Sequence, residues 1–281
     1  MDILNICKRF FTSNPLYILW FLFYFYVSLK LINDNPTVII FLYAISIAIA
    51  LLCGETLLRF IERIRPLYSK MEKEYLLPIF EEVYSEAKEK HPELQNIEIC
   101  TIDTVTIKVC AVGVKTVAVS KGAIDTFSEN ELKALMAHEI AHIINGDTIT
   151  TLLTTIGNGF FALFVFVIKS AIMAYDIIGN KTVDKMWNST IKMIFSIFIF
   201  IIVFPGEIIL SMRSREKEYG ADEFSYELGY GNDMIEALYL LDKINLGDNS
   251  SIVARMTASH PITAKRIGLL EAMVDGEANG Q

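Results

Sequence analysis

Two histidines four residues apart enclose a glutamate in the run His138-Glu139-Ile140-Ala141-His142. On a helix they are one turn and roughly 6 Å of rise apart, so both imidazoles face the same way and can grip one metal ion. Glu139 then lies beside that metal, placed to act as a general base toward a water that the metal activates. The bland alternative is a buried helix carrying two hydrogen-bonded histidines. With only four histidines in the chain, chance alone is a poor source of this pattern.

A catalytic zinc ion needs three protein ligands and one open position, so two histidines are too few. A second polar run, Ser214-Arg215-Glu216-Lys217-Glu218-Tyr219-Gly220-Ala221-Asp222, supplies acids. Glu218 and Asp222 share one helical face. Glu218 can be the third ligand of one zinc per chain, while Asp222 accepts a hydrogen bond from the outer nitrogen of a ligand histidine and fixes its tautomer. Read alone, the same stretch is a solvated acidic helix surface. Glu216 would face elsewhere, Asp147 follows a helix end, and Glu139 is better placed as the base.

The elements that position these groups are readable too. Ser128 with Glu131 marks a capping box, and Leu132, Leu135, Met136, Ile140 and Ile143 supply the apolar stripe of a helix ending near Asn145-Gly146. Residues 66–91 suit an amphipathic helix with apolar positions at Met71, Tyr75, Leu76, Ile79, Phe80 and Val83, which Pro78 should kink or divide. From Ile97 the pattern alternates through Ile99, Thr101, Val105, Ile107 and Val109. It turns near Gly113 to Lys115, resumes over 116–120 and turns again at Ser120-Lys121-Gly122. This predicts a small antiparallel sheet.

The remainder is built for lipid. Of 281 residues 53% are hydrophobic and mean hydropathy is +0.41, too apolar for an ordinary soluble domain. Stretches 10–29, 37–54 and 148–168 contain no charge, and 193–212 contains only Glu207. Each matches the length that crosses a bilayer. The first could be a signal peptide, but its length, the lack of a small-residue cleavage site and the apolar run close behind it favour an anchor. Arginines and lysines collect at 8–9, 59–65 and 213–217, which predicts both termini and the site in the cytoplasm of a multi-pass inner or plasma membrane protein.

The expected fold is a mainly α membrane protein: four transmembrane helices plus a cytosolic α+β zincin-like metalloprotease domain with its small antiparallel sheet. The divisions are a membrane hairpin over 1–58 (spans about 12–32 and 37–58), a catalytic part over 59–147, a second hairpin over 148–212 (spans about 148–168 and 191–212), and a helical part over 213–281. Glu55 and Glu207 are intramembrane acids near cytosolic ends. The net charge of −8 leaves no basic patch for nucleic acid. Cys7, Cys53, Cys100 and Cys110 show no C-x-x-C spacing and are expected to be buried or inert.

The run Ala137 to His142, followed by Asn145-Gly146-Asp147 and by Ser-Arg-x-x-Glu-x-x-Ala-Asp ending at Asp222, resembles the HtpX-type membrane zinc metalloproteases. These share a superfamily with the prenyl-protein (CAAX) proteases. Ser259-His260-Pro261 with Arg266-Ile267 is similar to that family's C-terminal element. The resemblance implies a zinc metalloendopeptidase of membrane protein quality control, acting at the cytosolic face on damaged or misfolded membrane proteins. By the family pattern His138, His142 and Glu218 bind zinc and Glu139 is the base. Asp222, His260 and Arg266 would stand just behind the ligands, His260 being assigned by the pattern alone. Lys108-Val109-Cys110-Ala111 replaces the family's usual Asn-Ala-Phe-Ala segment, so its substrate contacts do not carry over. Rival readings are a CAAX-type protease, a non-catalytic adaptor with structural zinc, and a transporter.

Overall fold

The computed structural model describes residues 22, 23, 25, 26, 29, 36–155, 216–245 and 263–280. Most of the first expected span, the bulk of the second hairpin and His260 lie outside them.

Helix α1 spans Pro36–Ile61, 26 residues of mainly apolar sequence. Among the described residues it is the one helix long and apolar enough to cross a membrane. Leu52 is 78% and Phe60 80% exposed on it, part of an exposed apolar face. Arg63, with a left-handed φ of 56°, turns the chain sharply into strand β1, Ile64–Pro66.

Helix α2, Lys70–Lys90, begins with a reciprocal capping box between Ser69 and Glu72 and runs unbroken through Pro78. The expected division does not occur. Pro78 and Glu74 are both on the exposed side, where water can serve the carbonyl that proline leaves without a donor. Leu76, Ile79, Phe80 and Val83 enter the core. Met71 and Tyr75 instead share the exposed face with Pro78 and Glu82.

Three more strands follow: β2 (Glu98–Ile102), β3 (Val109–Val112) and β4 (Thr116–Ser120). The sheet order is β1-β2-β4-β3, and β2 pairs with β4 in parallel. The sheet is therefore mixed, not antiparallel. The reason is burial: β4 is buried at all five positions and takes the centre, while the half-buried β3 is left at the edge. A loop over 103–108 makes the crossing. Val105, expected in a strand, is 91% exposed there.

The turn expected at Ser120 is a helix start. Ser120 Oγ accepts from Ala123 N and caps α3, Lys121–Thr126. Helix α4, Glu129–Asn145, opens on the Ser128–Glu131 capping box and closes on Gly146 at φ 75°. All five stripe residues, Leu132, Leu135, Met136, Ile140 and Ile143, are buried. Helix α5, Asp147–Thr155, follows at once. Residues 216–225 form α6, which passes through a π-turn at Tyr226–Tyr230 into α7, Gly231–Asn245; α8 is Thr263–Gly280.

The sheet lies between two apolar layers. Val117 and Val119 pack with α2, α4, α7 and α8. On the other face Ile64, Cys100, Ile102, Val112 and Ala118 cluster under Leu58 of α1. Cys100 and Cys110 are enclosed there, and burial pushes the Cys110 thiol up to about 12, so neither is a ready nucleophile.

Candidate metal centre

Helix α4 delivers His138 and His142 from successive turns, and α6 delivers Glu218 across from them. Nε2 of His138 lies 3.3 Å from Nε2 of His142. Glu218 Oε2 lies 3.4 Å from the former and Oε1 3.5 Å from the latter. A tetrahedral ion with bonds of roughly 2.0–2.1 Å places its donors about 3.3–3.4 Å apart, so this spacing fits zinc.

The outer nitrogens strengthen the fit. His142 Nδ1 is hydrogen-bonded to Asp147 Oδ2 at 3.0 Å, and His138 Nδ1 lies 3.0 Å from Asp222 Oδ1. With His142 Nδ1 hydrogen-bonded to one carboxylate and His138 Nδ1 beside another, two neutral rings would aim bare Nε2 lone pairs at one another. A cation between them resolves that repulsion. Without one, protons take its place. Burial alone would lower both histidines, but Asp222 and Glu218 carry His138 above its ordinary value, and Asp147 and Glu218 carry His142 up to about 10.

Each carboxylate holding a ring is itself held by a cation. Arg266 of α8 grips Asp222 with Nε at 2.7 Å and a terminal nitrogen at 2.6 Å, and its other terminal nitrogen reaches Glu218 Oε2 at 3.1 Å. Lys217 pairs with Asp147 at 2.8 Å. Two relays thus converge on one point: His138–Asp222–Arg266 and His142–Asp147–Lys217. Formally, Glu139, Asp147, Glu218 and Asp222 outweigh Lys217 and Arg266 by two negative charges, the deficit one divalent ion would fill.

Glu139 stands apart from the ligands. Its Oε2 accepts a hydrogen bond of 2.8 Å from the backbone N–H of Ala111 on β3. That contact sets the carboxylate between the ligand cluster and the sheet's edge strand.

The structure therefore brings together His138, His142, Glu139, Glu218, Asp222 and Arg266. The rival Glu216 is exposed on α6. Sequence reasoning missed two members, Asp147 as the holder of His142 and Lys217 behind it. The available signal was an acid directly after the helix-ending Gly146, five residues from a ligand.

A sequence profile described as Peptidase family M48 matches residues 72–274, which takes in every residue of this cluster. The chain belongs to peptidase family M48. It is 30% identical over 177 residues to a protein named Protease HtpX homolog from Fusobacterium nucleatum subsp. nucleatum, covering 56% of this chain and 55% of that one. To Protease HtpX of Pseudomonas fluorescens it is 33% identical over 176 residues, covering 55% and 56%. The chain thus spans about half the length of the curated relatives it matches. Among solved structures, S. mikatae Ste24p superposes with a TM-score of 0.54 at 21% identity, over 88% of this chain and 61% of that one. That likeness is one of fold. It places this M48 chain among mostly helical proteins with a small mixed sheet.

Proposed function

We propose that the protein is a membrane-embedded, zinc-dependent endopeptidase that cleaves damaged or misfolded membrane proteins at the cytosolic face. The observation that carries this reading is the triangle of His138, His142 and Glu218 donor atoms, all within 4.8 Å of one another, with Glu139 of the same helix beside it and bonded to the backbone of an edge strand. His138, His142 and Glu218 would hold one zinc ion, which when bound supplies Lewis acidity to a water and to the scissile carbonyl.

The chain's own groups do the rest. Glu139 accepts the proton of the attacking water and passes it to the leaving amine. Asp147 and Asp222 hold the two imidazoles in the tautomer that leaves Nε2 free to bind. Ser120 N donates to Lys108 O, so the ladder bonds of β3 fall at 108, 110 and 112. Val109 and Ala111 therefore turn their backbone groups away from β4; the Ala111 N–H is given to Glu139, and the other groups face outward, where an unfolded substrate can add as a further strand. Recognition through backbone suits substrates that share no sequence.

The arginines at 59, 63 and 65, at the end of α1 that leads directly into β1, support an orientation with the site on the cytoplasmic side. The test compares zinc content and chelator-sensitive cleavage of a misfolded membrane protein for wild type and Glu139→Gln. Both should hold one zinc and only wild type should cleave. Cleavage at the wild-type rate by the variant would end the role given to Glu139.

A further inference from the structure

Glu55 is the one carboxylate in α1, a helix of largely apolar sequence, and the chemistry above makes no use of it. Its side chain is committed to the sheet. Oε2 accepts from Val114 N at 3.1 Å and Oε1 from the Thr116 hydroxyl at 2.6 Å. Val114 lies in the β3–β4 turn and Thr116 opens β4 just after it. That turn is shaped around the carboxylate: Gly113 has φ +63°, and a Cβ there would lie 2.2 Å from Glu55 Oε2.

Two helical turns further on, Glu62 follows the end of α1 and pairs with Nζ of Lys108 at the opposite end of β3. Between them Leu58 packs against the sheet, and Arg59 reaches Glu98 at 3.5 Å and the Cys100 sulfur at 3.3 Å. The final turns of α1 therefore lie across the sheet face opposite α4, with an acid gripping each end of the edge strand. Ala111, midway along that strand, donates to Glu139. A continuous path runs from the apolar helix through β3 to the proposed base.

We infer that Glu55 and Glu62 are positioning residues: they clamp β3 so that Ala111 and the outward edge of the strand stay aligned with Glu139. The inference rests on the peptidase reading above. Neither acid touches the reacting groups, and both act through the strand. An edge strand is paired along one side only, and small displacements there change the approach of a paired substrate.

The experiment uses the full chain in detergent, with Glu55→Ala, Glu55→Gln, Glu62→Lys, Lys108→Glu and the Glu62→Lys/Lys108→Glu pair. Amide exchange at Ala111 and Val114 is read on the metal-free protein, and zinc content and kcat/KM toward fluorescein-labelled casein on the loaded one. Glu55→Ala and each single charge reversal should speed exchange at Ala111 and lower kcat/KM about tenfold, with zinc content unchanged. Glu55→Gln, which keeps an acceptor oxygen, should stand between Ala and wild type, and the swapped pair should recover most of the loss. The inference is overturned if Ala111 exchange stays at the wild-type level in Glu55→Ala, or if the swapped pair performs no better than its singles. Should Glu55→Ala fail to fold, the swap at two half-exposed side chains decides alone. A wild-type chain that cleaves nothing counts against the functional reading instead, because the exchange measurements do not depend on activity.

Discussion

At the scale of single residues the site divides into groups that bind and groups that hold the binders. Glu218→Ala removes a donor and should cost the chain its zinc, measured as metal content after dialysis. Asp147→Asn and Asp222→Asn keep all three donors but release a ring, and each should weaken zinc about 10- to 100-fold in a chelator competition. Comparable losses in the two would establish that both relays matter; no loss in Asp147→Asn would remove it from the site. Proton linkage has a definite sign. His142, raised to about 10 without metal, is protonated at neutral pH and must lose that proton to bind. Zinc uptake at pH 7 should therefore release protons, detectable by titration in two buffers of different ionisation enthalpy, and affinity should fall as pH falls. The donors themselves were legible because i,i+4 spacing fixes a shared helical face before any fold is known. Asp147 was not, because its return to His142 depends on the left-handed turn at Gly146, a backbone event that spacing does not encode.

At the scale of elements, the caps and stripes of α2 and α4 followed from local sequence, since a capping box and a 3.6-residue period are short-range devices. Strand order did not follow, because it depends on which strand is buried on both faces, and Thr116 to Ser120 shows its claim to the centre only against its neighbours. The joint between these elements is Arg65. Its guanidinium binds Glu72 at the start of α2 at 2.7 Å and Asp103 in the crossing loop at 2.8 Å. Hydrogen bonding from Arg65 outweighs desolvation and draws Glu72 down to about 2. A depressed carboxylate stabilises fully above its unfolded value near 4.3 and loses that contribution as pH falls toward 2. Thermal midpoints of wild type should drop between pH 5 and pH 2.5, and those of Glu72→Gln should drop less. Parallel curves for the two proteins would remove Arg65–Glu72 as the acid-sensitive joint.

At the scale of the whole molecule, the site needs segments far apart in sequence: α4, the head of α6, and α8 through Arg266. Arg266 is buried, with its charge spent on Asp222 and Glu218. Arg266→Ala leaves those carboxylates buried without it and should cost about 3–5 kcal/mol in the metal-free chain. The thermal midpoint should recover partly with zinc, and Arg266→Lys should not restore it, lacking the planar fork. Equal midpoints for wild type and Arg266→Ala would show that α8 is not part of the site's framework. The passage from α1 to β1 has a consequence of another kind. Only Glu62 and Arg63 separate the end of the apolar helix from the first strand, too short a tether for the catalytic half to swing. For the peptidase proposed above, this would hold the cutting point at a constant height above the lipid, a ruler selecting bonds by their distance in residues from where a substrate leaves the bilayer.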